Sequence, residues 1–147
     1  MTDNKPDKKM AAVWYATQGL PVLPLHSAPG GFCSCGNPGH APGGKEETKA
    51  GKHPRTLHGF KDATTDLALI EAWWKQWPDA NIGIPTGTPS GLLVLDVDPR
   101  NGGQESLDGL IVEHGRFPDT AEQMTGGGGR HIIFRHPGVP SRLLKKP

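Results

Sequence analysis

The chain has 147 residues, a length that suits one domain. Its 16 basic residues nearly balance 15 acidic ones, so a net charge of +1 excludes a whole-chain polycationic binder of nucleic acid. No apolar stretch is long enough to span a membrane, and the many glycines (21) and prolines (15) are interleaved with apolar runs, which indicates a loop-rich globular protein.

Residues 1–9 form a polar, charged lead with no apolar core behind it. It is expected to be disordered and is not a secretory signal. Met10–Gly19 carries helix-favouring alanines, and Gly19 is placed to end the helix. Leu20–Leu25 (LPVLPL) is a short apolar run with two prolines, which predicts an edge strand because proline cannot donate to a ladder. An irregular insert, residues 26–58, follows. Asp62–Asp66 then leads into LALIEAWWKQW, a helix with Thr65 or Asp66 as cap and Pro78 as terminator. Leu67, Ile70, Trp74 and Trp77 recur at near-helical spacing, so these tryptophans are expected in a core rather than on a base-stacking platform.

Asn81–Pro85 predicts a short strand. Leu92–Asp98 (LLVLDVD), between the turn signals Pro89-Ser90-Gly91 and Pro99–Gly103, predicts a buried one. A helix over 104–114, a strand at 121–125, a run of four glycines and the strand HIIFRH complete the order α, β, insert, α, β, β, α, β, β. That order predicts an α+β or α/β fold with helices packed on a mixed sheet.

Three groups of residues carry chemistry. Side chains at i and i+2 of a strand share a face, so Asp96 and Asp98 would project together. Paired hard oxygen ligands suit Mg²⁺ or Mn²⁺, although two acids at a solvated strand end need no metal. In the insert, Cys33, Cys35, His40 and His53 supply the thiolate and imidazole set that Zn²⁺ favours, with His26 and His58 as spare candidates. The cysteines are too close in sequence for a good mutual disulfide, which favours a reducing, cytoplasmic setting. Lys52 and its neighbours Lys45, Lys49, Arg55 and Lys61 form the one dense basic stretch, a phosphate contact or a solvated loop face. In Thr125–His131 the glycines, Gly128 and Gly129 included, let backbone amides approach an anion. Arg130 adds a fork of donors, and His131 opens the next strand.

Seven motifs in order carry a resemblance: Tyr15-Ala16 with Gly19-Leu20-Pro21-Val22, Gly51-Lys52-His53-Pro54, Asp62–Asp66, Trp73-Trp74, Asn81–Gly87, Leu95–Asp98 and Thr125–His131. The chain resembles the N-terminal catalytic domain of bifunctional DNA primase/polymerases, the prim-pol branch of the archaeo-eukaryotic primase superfamily, over about residues 11–134. The resemblance implies a primase-like fold over 10–147, an RRM-like sheet bearing the catalytic acids, with a zinc-bearing loop insert. It implies template-directed nucleotidyl transfer with Mg²⁺ or Mn²⁺ on a single-stranded DNA template, using NTP or dNTP, in replication of a plasmid, phage or integrated element. A helicase domain or protein is the partner it suggests. Asp96 and Asp98 match the metal-binding acids, His131 the nucleotide-contacting histidine, and Lys52 lies in the family's G-K-x-P pattern. The insert matches a Cys/His zinc cluster in which His40 stands where a third cysteine is usual.

The family's third carboxylate lies on a strand beyond the glycine loop, whereas residues 132–147 contain no Asp or Glu. The resemblance therefore implies a C-terminally truncated domain. Such a domain would keep the zinc site, bind nucleotide weakly, make little or no primer alone, and leave HIIFRH as an exposed apolar edge. Two other readings account for part of the sequence: a non-catalytic zinc-bearing single-stranded DNA-binding module, and a D-x-D phosphohydrolase of another fold.

Overall fold

A computed structural model describes residues 7–139. These fall into two compact units that divide between Pro85 and Thr86. Residues 1–6 of the polar lead lie outside the described residues.

The first unit opens with helix α1, Lys8–Thr17, two residues earlier than its alanines suggested. The reason is Asp7, whose carboxylate accepts from the Lys9 and Met10 amides and caps the helix. Gly19 ends it as expected. Its left-handed φ of 81° lets Gly19 N–H reach Ala16 O and Leu20 N–H reach Tyr15 O, the paired bonds of a Schellman motif. Strand β1, Leu23–Leu25, pairs antiparallel with β2, Asn81–Gly83. Although β1 ends a two-stranded sheet, its other side is also engaged. Val22 and Thr64 exchange both backbone bonds, Arg55 N–H donates to Pro24 O, and His26 N–H donates to His53 O. The insert is thus sewn to the strand that precedes it.

Helix α2, Leu67–Gln76, is capped by Asp66 through the Ala68 and Leu69 amides and stops before Pro78. Ile70 and Trp74 are buried with Ala12, Ala16, Val22 and Ala80, and Trp73 and Trp77 pack around them. The tryptophans therefore serve the core. Trp74 also satisfies its buried ring N–H on Ala80 O at 3.2 Å. Leu67, expected on the buried face, is exposed in the first turn of the helix.

The second unit holds β3 (Leu92–Val97), α3 (Gly103–His114), β4 (Glu122–Met124) and β5 (Arg130–Arg135). The sheet order is β3-β5-β4, antiparallel throughout. Three expectations change here. No mixed sheet forms among the described residues; two small antiparallel sheets replace it. β3 lies at an edge, and only Val97 of it is buried, because α3 covers a single face at that end. β5 is the central strand, so its apolar residues are not an exposed edge. Ile132 packs with Val97 and Leu107, and β4 supplies the neighbour on the far side.

Candidate functional site

The insert earns its order from polar chemistry, since few of its residues reach an apolar core. Short 3-10 turns at Pro38–His40 and Glu47–Lys49 fold it back on itself. They bring Cys33 Sγ to 3.3 Å from His53 Nε2 and Cys35 Sγ to 3.2 Å from His40 Nδ1. One donor atom from each of these four residues lies within 4.8 Å of the other three. A tetrahedral zinc site with Zn–S near 2.3 Å and Zn–N near 2.0 Å puts donors roughly 3.3–3.8 Å apart, so the set fits that ion. Cys33 and His40 are buried, which shields the centre from water.

The electrostatics favour the ligating forms. Burial opposes ionisation of Cys33, but N–H donation from Cys35 and Gly51, the Cys35 thiol and the Arg55 charge outweigh it and hold the thiol below its ordinary pKa. His53 is held below its ordinary value by burial, then by His40, Arg55 and Lys49, and so stays neutral and able to ligate. The Asn37 amide lies 3.4 Å from Cys35 Sγ. His26 stacks on the His53 ring at 4.4 Å and faces Ser34 Oγ through Nδ1 at 2.9 Å, so it supports a ligand rather than replacing one. His58 pairs with Asp62 instead.

Sequence reasoning missed one residue of this centre. Glu46 Oε2 lies 3.5 Å from His40 Nε2, the ring nitrogen opposite the one facing Cys35, and Lys49 pairs with the same carboxylate. A carboxylate behind a ligating histidine fixes its tautomer and orientation. The only trace in the sequence is an acid and a lysine three apart, and the adjacent Lys45 and Glu47 mask it.

The acidic residues occupy the second unit. Asp96 stands opposite His131 in the β3–β5 register, and His131 Nε2 lies 3.7 Å from Asp96 Oδ1. β3 ends at Val97, so Asp98 is not a strand residue. It caps a 3-10 turn, Pro99–Asn101, through the Arg100 amide. Its carboxylate also accepts from Arg100 Nε and Nη2 and from Asn101 Nδ2. Side-chain hydrogen bonding from Arg100, followed by its amide, holds Asp98 below the usual carboxylate range. Both acids line one open cleft of about 210 Å³, which β3 shares with Gly103, Ser106 and Leu107.

The glycine loop closes tightly. Gly128 N–H donates to Thr125 O and Gly129 N–H to Thr125 Oγ1, so those two amides are used within the turn. A Cβ on Gly129 would stand 2.5 Å from Val97 O, which is why glycine is required there. Arg130 directs Nη1 to Glu122 at 3.2 Å and Nη2 to Gln104 at 3.4 Å. Lys52 belongs to the first unit and lines a groove with Lys8, Ser27 and Asn81.

Compared with known families, the chain matches that of the bifunctional DNA primase/polymerase N-terminal domain over residues 12–146. The chain belongs to that family. No curated protein and no solved structure matches it. Family membership makes DNA and nucleotides the substrate classes, and nucleotidyl transfer the type of activity, of this primase/polymerase domain. No described helix is long and apolar enough to cross a membrane.

Proposed function

We propose that this domain performs template-directed nucleotidyl transfer on single-stranded DNA in replicating a plasmid, phage or integrated element, in the cytoplasm and with a helicase as partner. Its units would form an archaeo-eukaryotic primase-like domain. The observation that carries the reading is the cross-strand pair Asp96–His131, inside a chain matched almost end to end by the family. The cleft offers two carboxylates suited to Mg²⁺ or Mn²⁺, and the His131 imidazole stands across from the first on the neighbouring strand. When bound, such an ion supplies positive charge against the triphosphate and its leaving pyrophosphate.

The residues have separate tasks. Asp96, with Asp98, holds the cation. His131 orients the triphosphate from the neighbouring strand. Gly129 keeps a Cβ clear of the Val97 carbonyl at the end of β3, Arg130 adds positive charge for phosphates within the second unit, and Lys52 does so separately within the first. Cys33, Cys35, His40 and His53 hold a structural Zn²⁺ that orders the insert. A primer-synthesis assay with single-stranded template, NTPs or dNTPs, and Mg²⁺ or Mn²⁺ tests the assignment. Whatever template-directed product the chain makes is expected to depend on Asp96. Product made equally by Asp96→Ala would contradict it.

A further inference from the structure

We propose that Arg100 is a positioning residue that occupies Asp98 in the free protein and transfers to the triphosphate of a bound nucleotide, coupling nucleotide binding to release of a metal-binding carboxylate. The inference rests on the reading of Asp98 as a cation ligand. Asp98 is spoken for in this structure. Arg100 Nε lies 3.2 Å from Oδ1 and Nη2 lies 3.3 Å from Oδ2, a side-on fork across both carboxylate oxygens. A divalent cation needs those same oxygens, so guanidinium and cation compete for one site.

The second observation is where the guanidinium sits. A Cβ built on Gly127 would stand 3.3 Å from Nη2 and 3.5 Å from Cζ, so Arg100 lies against the glycine turn. That turn leads directly into His131. A side chain there needs only rotamer changes to leave Asp98 and meet a phosphate. Its side chain is 61 % exposed, so no core packing resists the move. Asp98 does not lose its structural partner when Arg100 leaves, because the Arg100 amide still donates to Oδ1 at 3.0 Å and Asn101 Nδ2 to Oδ2 at 2.9 Å. A triphosphate gives the fork a better-matched, more highly charged acceptor than a single carboxylate. The arrangement keeps the acids electrostatically satisfied until a nucleotide arrives.

The test is Mn²⁺ binding to the whole chain without nucleotide, followed by electron paramagnetic resonance, and dATP binding at saturating Mn²⁺ by calorimetry. Arg100→Ala should bind Mn²⁺ about three- to fivefold more tightly than wild type, the scale of an exposed ion pair removed. The same variant should bind dATP about fivefold or more weakly, since a charged donor to phosphate is lost. Arg100→Lys should fall between wild type and Arg100→Ala in both measurements; both variants keep the backbone amide that donates to Asp98. Mn²⁺ affinity unchanged or reduced in Arg100→Ala overturns the proposal, and so does undiminished dATP binding. If Asp98→Asn leaves Mn²⁺ binding intact, the reading of Asp98 as a ligand fails as well. That result is distinct from Asp98-dependent Mn²⁺ binding that ignores Arg100.

Discussion

Glu46 has no role that its neighbours in sequence announce, yet it sits behind His40 with Lys49 against it. Its removal should leave the four ligands in place and loosen one of them. Glu46→Ala is expected to weaken zinc about tenfold or more, and Glu46→Gln less, in a chelator competition. Equal affinities would make the contact incidental. Asp96 presents the opposite case. Its side chain is 66 % exposed and its ion pair among the described residues is the 3.7 Å approach to His131, so the fold owes it little. Asp96→Ala should shift the melting temperature of the metal-free protein by less than about 2 °C. A large drop would mark Asp96 as structural. Asp96 and His131 stand out in the sequence because D-x-D and a glycine loop ending in histidine are local patterns. The occupation of Asp98 by Arg100 is not legible in that way, because it depends on the chain turning at Pro99.

At the scale of elements, what could be read from the sequence was whatever local chemistry decides. Asp66 caps α2, Pro78 follows its end, and Gly19 closes α1, each through contacts within a few residues. Strand partners are chosen across long separations, and there the sequence misled. HIIFRH reads as an edge when its partner is sought after it in the chain. Its partners both precede it: β3, paired through Asp96↔His131 and Val97↔Arg130, and β4 across the glycine turn. The turn makes this testable. Gly129→Ala puts a methyl into the Val97 carbonyl, whereas a Cβ on Gly128 meets open space and suffers only the positive φ of 81°. Gly129→Ala should therefore lower the thermal midpoint of the second unit more than Gly128→Ala. The reverse order would mean that the turn packs differently.

For the molecule as a whole, each unit has its own source of stability. The first combines the Trp74–Ile70 core with the Cys/His centre; the second rests on a smaller cluster of Val97, Leu107 and Ile132. Trp74→Ala removes a fully buried ring and its hydrogen bond, and should cost about 3–5 kcal/mol in chemical denaturation. Zinc removal by a chelator should speed amide hydrogen exchange across residues 26–58, where the ligands hold the turns, and leave the amides of β3 and β5 unchanged. Uniform acceleration would mean that the two units unfold together. The division at Pro85 was not legible because the motifs run through it without a break, and only contact density separates the halves.

Asp96, Asp98 and His131 are proposed to form a cation-dependent nucleotide site in this primase/polymerase domain. Calorimetric titration of the whole chain with dATP, with Mn²⁺ and with chelator, tests it most directly. Saturable binding that requires Mn²⁺ is expected, lost in Asp96→Ala and weakened in His131→Ala. Binding of equal strength in chelator, or binding that Asp96→Ala leaves intact, would contradict it.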